Sequence, residues 1–264
     1  MKRIEQKFKE LKKKGEKALV AYITAGYPNM ETTRLLIHAL ERAGVDVLEV
    51  GVPFSDPTAD GPVIQAASQA ALKRGATLAN VIDLVGELRG RVEIPLVLFS
   101  YYNPIFSMGS GPFAKRAADA GVDGVLVVDL PAEEAGELRT QTNPAGVDFI
   151  SLVAPTSGGD RVRKVVKEAS GFIYYISVTG VTGTRGPELD ETRKNVGTIR
   201  TLTKLPVVVG FGVSTPEQAH QIGSMADGVV VGSAFVKLIG ENAGNPGMID
   251  AVESYAASLK AALR

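Results

Sequence analysis

The sequence contains no cysteine and only two histidines, His38 and His220, among its 264 residues. Disulfides, thiolate zinc sites and a cysteine nucleophile are therefore excluded, and two histidines are too few for a multi-histidine centre, so no metal is expected. Acid–base chemistry is left to carboxylates, tyrosines or lysines. Charge of one sign is also missing: 29 Lys and Arg balance 29 Asp and Glu. A chain without net charge has no general attraction for nucleic acid or an anionic membrane, and neither is expected as a partner. No apolar run is long enough to span a bilayer. The basic N-terminal residues lead into no signal-type apolar core, so a cytoplasmic location is expected.

The chain is 45% hydrophobic, enough to bury the core of one barrel-sized domain spanning 1–264. Short runs rich in Val, Ile and Leu recur every few tens of residues and read as eight strands: Leu19–Thr24, Val47–Val50, Leu96–Ser100, Gly124–Val128, Phe149–Leu152, Phe172–Ser177, Val207–Gly210 and Val229–Val231. Several lack polar alternation, as expected of parallel strands covered on both faces. Helical patterns such as Glu31–Ala43, Val63–Lys73, Phe113–Ala120, Asp160–Ala169 and Pro216–Ile222 lie between them. The Ala-Gly-Val-Asp sequence at 43–46 recurs at 120–123 and marks helix-to-strand turns. Eight β-then-α units in this length favour a closed (β/α)8 TIM barrel over an open doubly wound sheet. Ile4, Phe8 and Leu11 fall at helical spacing, predicting an extra N-terminal amphipathic helix laid against the body.

In such a barrel, function sits at the C-terminal ends of the strands. Glu49 interrupts the otherwise apolar Val47-Leu48-Glu49-Val50, where an ionised carboxylate is expensive to bury. It reads equally as a catalytic group or as a glutamate pointing into a wet barrel mouth or pairing with a basic neighbour. The loop after it, Pro53 to Pro62, holds three prolines and the aspartates Asp56 and Asp60. Either aspartate alone is an ordinary turn or cap residue. Asp60 stands out because it shares a face with Glu49, and two carboxylates in different environments can divide acid and base roles.

Glycine-rich segments follow the last three strands: Gly180 to Gly186, Gly210 to Ser214, and Gly232-Ser233. One such segment is an ordinary βα turn; three at one end make a phosphate cradle, because glycine lets backbone N–H groups approach an anion. The segment after strand six, with Thr182 and Arg185, can also serve as a lid. Tyr22, Phe99, Tyr101, Tyr102, Tyr174 and Phe211 lie on or just after strands, where some line the core and others can line a pocket for a flat apolar ligand. His38 and His220 fall on outer helices and receive no catalytic role.

The run Leu48 to Pro57, followed by Ala59-Asp60-Gly61-Pro62 and Ile64-Gln65, resembles the signature of the tryptophan synthase alpha subunit family. Tyr102-Asn103-Pro104, Asp129-Leu130-Pro131, Leu152 to Thr156, Gly180 to Gly183, Gly210 to Gly212 and Gly232-Ser233 match in family order across nearly the whole chain. The resemblance implies a lyase that cleaves indole-3-glycerol phosphate by a retro-aldol reaction to indole and D-glyceraldehyde 3-phosphate. It implies that Glu49 is the principal acid–base group and that Asp60 holds the indole N–H. Tyr22, Phe99, Tyr174 and Phe211 would line the indole pocket, Gly183, Gly212, Gly232 and Ser233 would hold the phosphate, and Thr182 would act in the lid. It further implies no cofactor in this chain, and a beta subunit that carries pyridoxal phosphate and joins indole to serine in an alpha2beta2 heterotetramer. Thr58 stands where many relatives have leucine, and Tyr22 and Phe99 occupy positions that vary. A different phosphate-binding barrel, or a binding subunit that only activates its partner, are the competing readings.

Overall fold

A computed structural model of the chain describes residues 1–176, 186–210 and 212–264. Eight strands, β1 (Ala18–Thr24), β2 (Val47–Gly51), β3 (Leu96–Ser100), β4 (Gly124–Val127), β5 (Asp148–Val153), β6 (Ile173–Ile176), β7 (Val207–Gly210) and β8 (Gly228–Val231), pair in sequence order and close into a parallel barrel. Around it run α2 (Met30–Arg42), α3 (Pro62–Lys73), α4 (Leu78–Leu88), α5 (Tyr102–Met108), α6 (Ser110–Asp119), α7 (Gly136–Thr142), α8 (Gly159–Glu168), α9 (Gly186–Leu202), α10 (Pro216–Gly223), α11 (Ser233–Glu241) and α12 (Met248–Ala261), after the N-terminal α1 (Arg3–Lys14). The expected TIM barrel and its extra helix are both present.

The strands lack polar alternation because both of their faces are buried. Leu48 and Val50 of β2 join the layer between sheet and helices. Val47 points the other way, into an inner cluster with Val20, Val97, Leu126, Ile150, Tyr174, Val208 and Val230. The period of two therefore places Glu49 and Gly51 on the inner face. The apolar stripe of α1 closes the barrel floor: Ile4, Phe8 and Leu11 belong to the inner cluster, and the Phe8 and Phe172 rings lie 5.8 Å apart.

The aspartate of each Ala-Gly-Val-Asp repeat ties that floor together. Asp46 accepts the Leu19 N–H and Asp123 the Leu96 N–H, each at 2.9 Å and each from the start of the preceding strand; Asp227 does the same for Val207. Cations cover them: Arg3 and Arg89 pair with Asp123, Lys2 with Asp148 and Arg200 with Asp227. The most enclosed is Lys260, whose ammonium donates to Asp46 at 2.9 Å and lies 3.0 Å from Glu16, joining α12 to the entries of β1 and β2. Burial pushes the Asp46 carboxyl up, and Lys260 opposes that shift. Lys260→Met keeps the packing but leaves Asp46 buried without its cation, and we expect it to destabilise the fold by about 3 kcal/mol. Urea unfolding monitored by circular dichroism measures this; a loss below about 1 kcal/mol would show that the cluster is only a surface ion pair.

Candidate active site

At the other end of the barrel, β2 carries Glu49 to the inner face with no exposed surface. Neither carboxyl oxygen has a hydrogen-bond partner among the described residues. The sequence left open a wet mouth or a basic partner, and among the described residues the geometry supplies neither. Burial alone pushes this carboxyl up to about 8, so it is mostly protonated at neutral pH.

Asp60 comes from the β2–α3 loop. It does not cap the following helix, whose N-cap is Gly61 with no side-chain hydrogen bond. Instead its Oδ2 accepts the Tyr101 hydroxyl at 3.0 Å, while the Ala59 N–H donates to that same hydroxyl at 3.0 Å. The Tyr101 ring stacks on Phe54 with centroids 5.0 Å apart, and Ser68 of α3 bonds both the N–H and the carbonyl of Phe54. Tyr101 thus pins the stiff loop at two points. Burial raises the Asp60 carboxyl above its ordinary value and the Tyr101 hydrogen bond moderates the rise. Asp56 is exposed on the same loop, and its carboxylate accepts from the neighbouring Ser55 hydroxyl. Thr58 is exposed beside it.

The aromatic residues gather as a lining. Tyr22 is paired in register with Glu49, and its ring meets Phe99 edge-on at 5.0 Å. Tyr174 is buried across the barrel, and Glu49 and Tyr22 both contribute to raising its phenol, after burial itself. Two strand-end glycines make room for these rings: a Cβ on Gly51 would lie 2.2 Å from the Tyr22 hydroxyl, and one on Gly210 would lie 2.9 Å from that of Tyr174.

Gly212, in the left-handed region at φ 62°, follows β7, and Gly232 caps α11, whose first residue is the exposed Ser233. The first N–H groups of any helix lack intrahelical partners and attract an anion. A Cβ on Gly232 would lie 3.5 Å from the Tyr22 Cβ, so this helix start adjoins the aromatic lining. Thr182, Gly183 and Phe211 lie outside the described residues. His38 and His220 lie on α2 and α10, away from the mouth, with His220 bonded to the Ala262 carbonyl. Among the described residues no cluster of His, Cys, Asp or Glu is arranged to hold a metal ion, and no helix is long and apolar enough to cross a membrane.

Sequence reasoning placed Tyr101 only among the aromatics that line the core or a pocket, and did not foresee its bond to Asp60. Its place directly after β3, at the end where loops carry chemistry, was legible; its partner was not.

The family model for the tryptophan synthase alpha chain matches residues 8–264. A tryptophan synthase alpha chain from Citrifermentans bemidjiense is 54% identical over 237 residues, covering 90% of this chain and 89% of that one. One from Desulfatibacillum aliphaticivorans is 51% identical and covers 99% of this chain and 98% of its own. Among solved structures, tryptophan synthase subunit alpha from Legionella pneumophila superposes with a TM-score of 0.93 at 38% identity, over 100% of this chain and 98% of that chain. A chain of tryptophan synthase from M. tuberculosis, in an aminoacrylate-bound form, superposes with a TM-score of 0.90 at 31% identity, over the full length of both. With the family pattern, sequence relatives and barrel geometry in agreement along its length, the chain belongs to the tryptophan synthase alpha chain family.

Proposed function

We infer that this chain is a carbon–carbon lyase that cleaves indole-3-glycerol phosphate to indole and D-glyceraldehyde 3-phosphate, with Glu49 as its acid–base group and Asp60 as the partner of the indole N–H. The observation that carries the residue assignment is the fully buried Glu49 carboxyl, without a hydrogen-bond partner among the described residues, on the inner face against an aromatic lining whose Tyr22 feels both Glu49 and Asp60.

A carboxyl held near 8 begins the cycle protonated at neutral pH, which suits proton donation first. Glu49 gives its proton to the ring carbon that bears the glycerol chain, making that carbon tetrahedral and placing positive charge on the ring nitrogen. Asp60, oriented by the Tyr101 hydroxyl, stabilises that charge. The resulting Glu49 carboxylate takes the proton of the hydroxyl on the adjacent chain carbon. The C–C bond breaks, its electron pair returns to the ring, and the alcohol carbon becomes the aldehyde. Atoms balance, and Glu49 ends as it began.

Tyr22, Phe99, Tyr174 and Phe211 form the pocket for the indole ring, and Gly183, Gly212, Gly232 and Ser233 hold the phosphate through backbone donors and the serine hydroxyl. Thr182 belongs to a lid over the mouth. No cofactor is assigned to this chain. Members of the family work with a beta subunit; we read the assembly as a heterotetramer of two alpha and two beta subunits in which pyridoxal phosphate belongs to the beta subunit. The Pro53 to Asp60 loop and the start of α5 would face that partner. Phe106 of α5 is 64% exposed, which suits a surface that a second chain covers. One barrel domain over 1–264 and a cytoplasmic location complete the reading.

The direct test is indole release from indole-3-glycerol phosphate by the purified chain, alone and with a cognate beta subunit. Slow release that the beta subunit accelerates is expected. No release in either condition would overturn the activity and favour another phosphate-binding barrel or a purely activating subunit.

A further inference from the structure

The Tyr22 side chain connects two parts of the site that the proposed reaction uses separately. Its Cβ adjoins Gly232, at the start of the α11 anion site, where a built Cβ would come within 3.5 Å. Its hydroxyl ends against Gly51, two residues past Glu49 on the same strand face, where a built Cβ would come within 2.2 Å. Ring atoms Cζ and Cε2 would lie 2.5 and 2.7 Å from that Cβ as well, so Gly51 makes room for the ring and its hydroxyl together. Among the described residues its hydrogen-bond contact is Thr24 Oγ1 at 3.4 Å, a long and weak one that leaves the hydroxyl available for a better partner.

A substrate with its phosphate at α11 and its ring between Phe99 and Asp60 must lay the connecting three-carbon chain along this side chain. We propose that the Tyr22 hydroxyl hydrogen-bonds the glycerol hydroxyls of the substrate and is a specificity-determining residue, holding the chain in register with Glu49. The inference rests on the reaction proposed above. Burial, with Asp60 and Glu49 nearby, keeps the phenol protonated and thus a constant donor across the working pH range. An edge-on Phe99 fixes the ring and limits its freedom to turn away.

The test is Tyr22→Phe, which keeps the ring and removes one oxygen. Two quantities are compared with wild type: kcat/KM for indole-3-glycerol phosphate, and the inhibition constant of the analogue in which an unsubstituted propyl chain replaces the glycerol. The expected result is a roughly tenfold lower kcat/KM, in line with a lost hydrogen bond, with the inhibition constant within twofold of wild type. Equal losses for both ligands would mean that Tyr22 only shapes the pocket, and no loss for either would mean that the hydroxyl touches nothing in the substrate; each overturns the inference while leaving the lyase reading intact. A wild-type chain that releases no indole overturns both together.

Discussion

Glu49→Gln lowers indole formation from indole-3-glycerol phosphate by an expected factor of about 10² to 10⁴, the usual contribution of a positioned acid–base group. Glutamine matches the shape of a protonated glutamic acid and occupies the same unpartnered space on β2, so the barrel and the phosphate end stay as they are. What it lacks is an exchangeable acidic proton at the point where the ring carbon must gain one. Binding of glycerol 3-phosphate, measured by calorimetry, stays within a few-fold of wild type, because the helix start at Ser233 and the carboxyl on β2 serve different ends of the substrate. Steady-state kinetics then assign the loss to kcat and not to KM. Turnover within tenfold of wild type would remove Glu49 from the mechanism. The wild-type enzyme carries a matching signature in its pH profile. With the free carboxyl near 8, the protonated form that starts the reaction is depleted as pH rises through that value, so kcat/KM falls on the alkaline side.

The sequence made Glu49 conspicuous because a charged residue breaks an apolar strand, and the barrel made its direction predictable because side chains alternate. It did not tell burial from exposure: a wet mouth, a basic partner and an empty apolar surrounding all produce the same letter. Asp60 was visible through the Pro-rich loop around it. Its partner was not, since Tyr101 lies 41 positions later and a tyrosine after a strand reads first as core. The helical spacing of Ile4, Phe8 and Leu11 announced α1 but not its destination, which follows only once eight strands enclose a floor that needs filling. Pro104, a helix breaker in general, sits in the first turn of α5, where no intrahelical donor is lost. The aspartates of the Ala-Gly-Val-Asp repeats looked like turn residues. Asp46 and Asp123 receive N–H groups at the start of the preceding strands, a role that depends on barrel order and leaves no local mark.

The substitution that removes activity is also expected to stabilise the fold, and the effect should grow with pH. Glu49 rises from an ordinary 4.5 to about 8 on folding, with burial as the cause. An acid whose value is raised in the folded state favours folding fully only below its unfolded value. Above about 4.5 the unfolded chain ionises while the folded chain keeps its proton, so stability falls with each pH unit until the folded group also ionises near 8. At 1.36 kcal/mol per unit, the accumulated loss approaches roughly 5 kcal/mol as an upper bound, since water entry and side-chain movement relieve part of it. Glutamine never ionises. Glu49→Gln and wild type should therefore unfold at the same denaturant concentration near pH 4, with the variant ahead by a few kcal/mol at pH 8.5. Guanidinium unfolding at both pH values measures the difference. Parallel stabilities across that range would mean that Glu49 finds a compensating partner when charged, and the raised pKa on which the proton-donor role depends would be lost with it. A widening gap would identify the carboxyl as a strained group kept for its chemistry, at the expense of stability the fold could otherwise have.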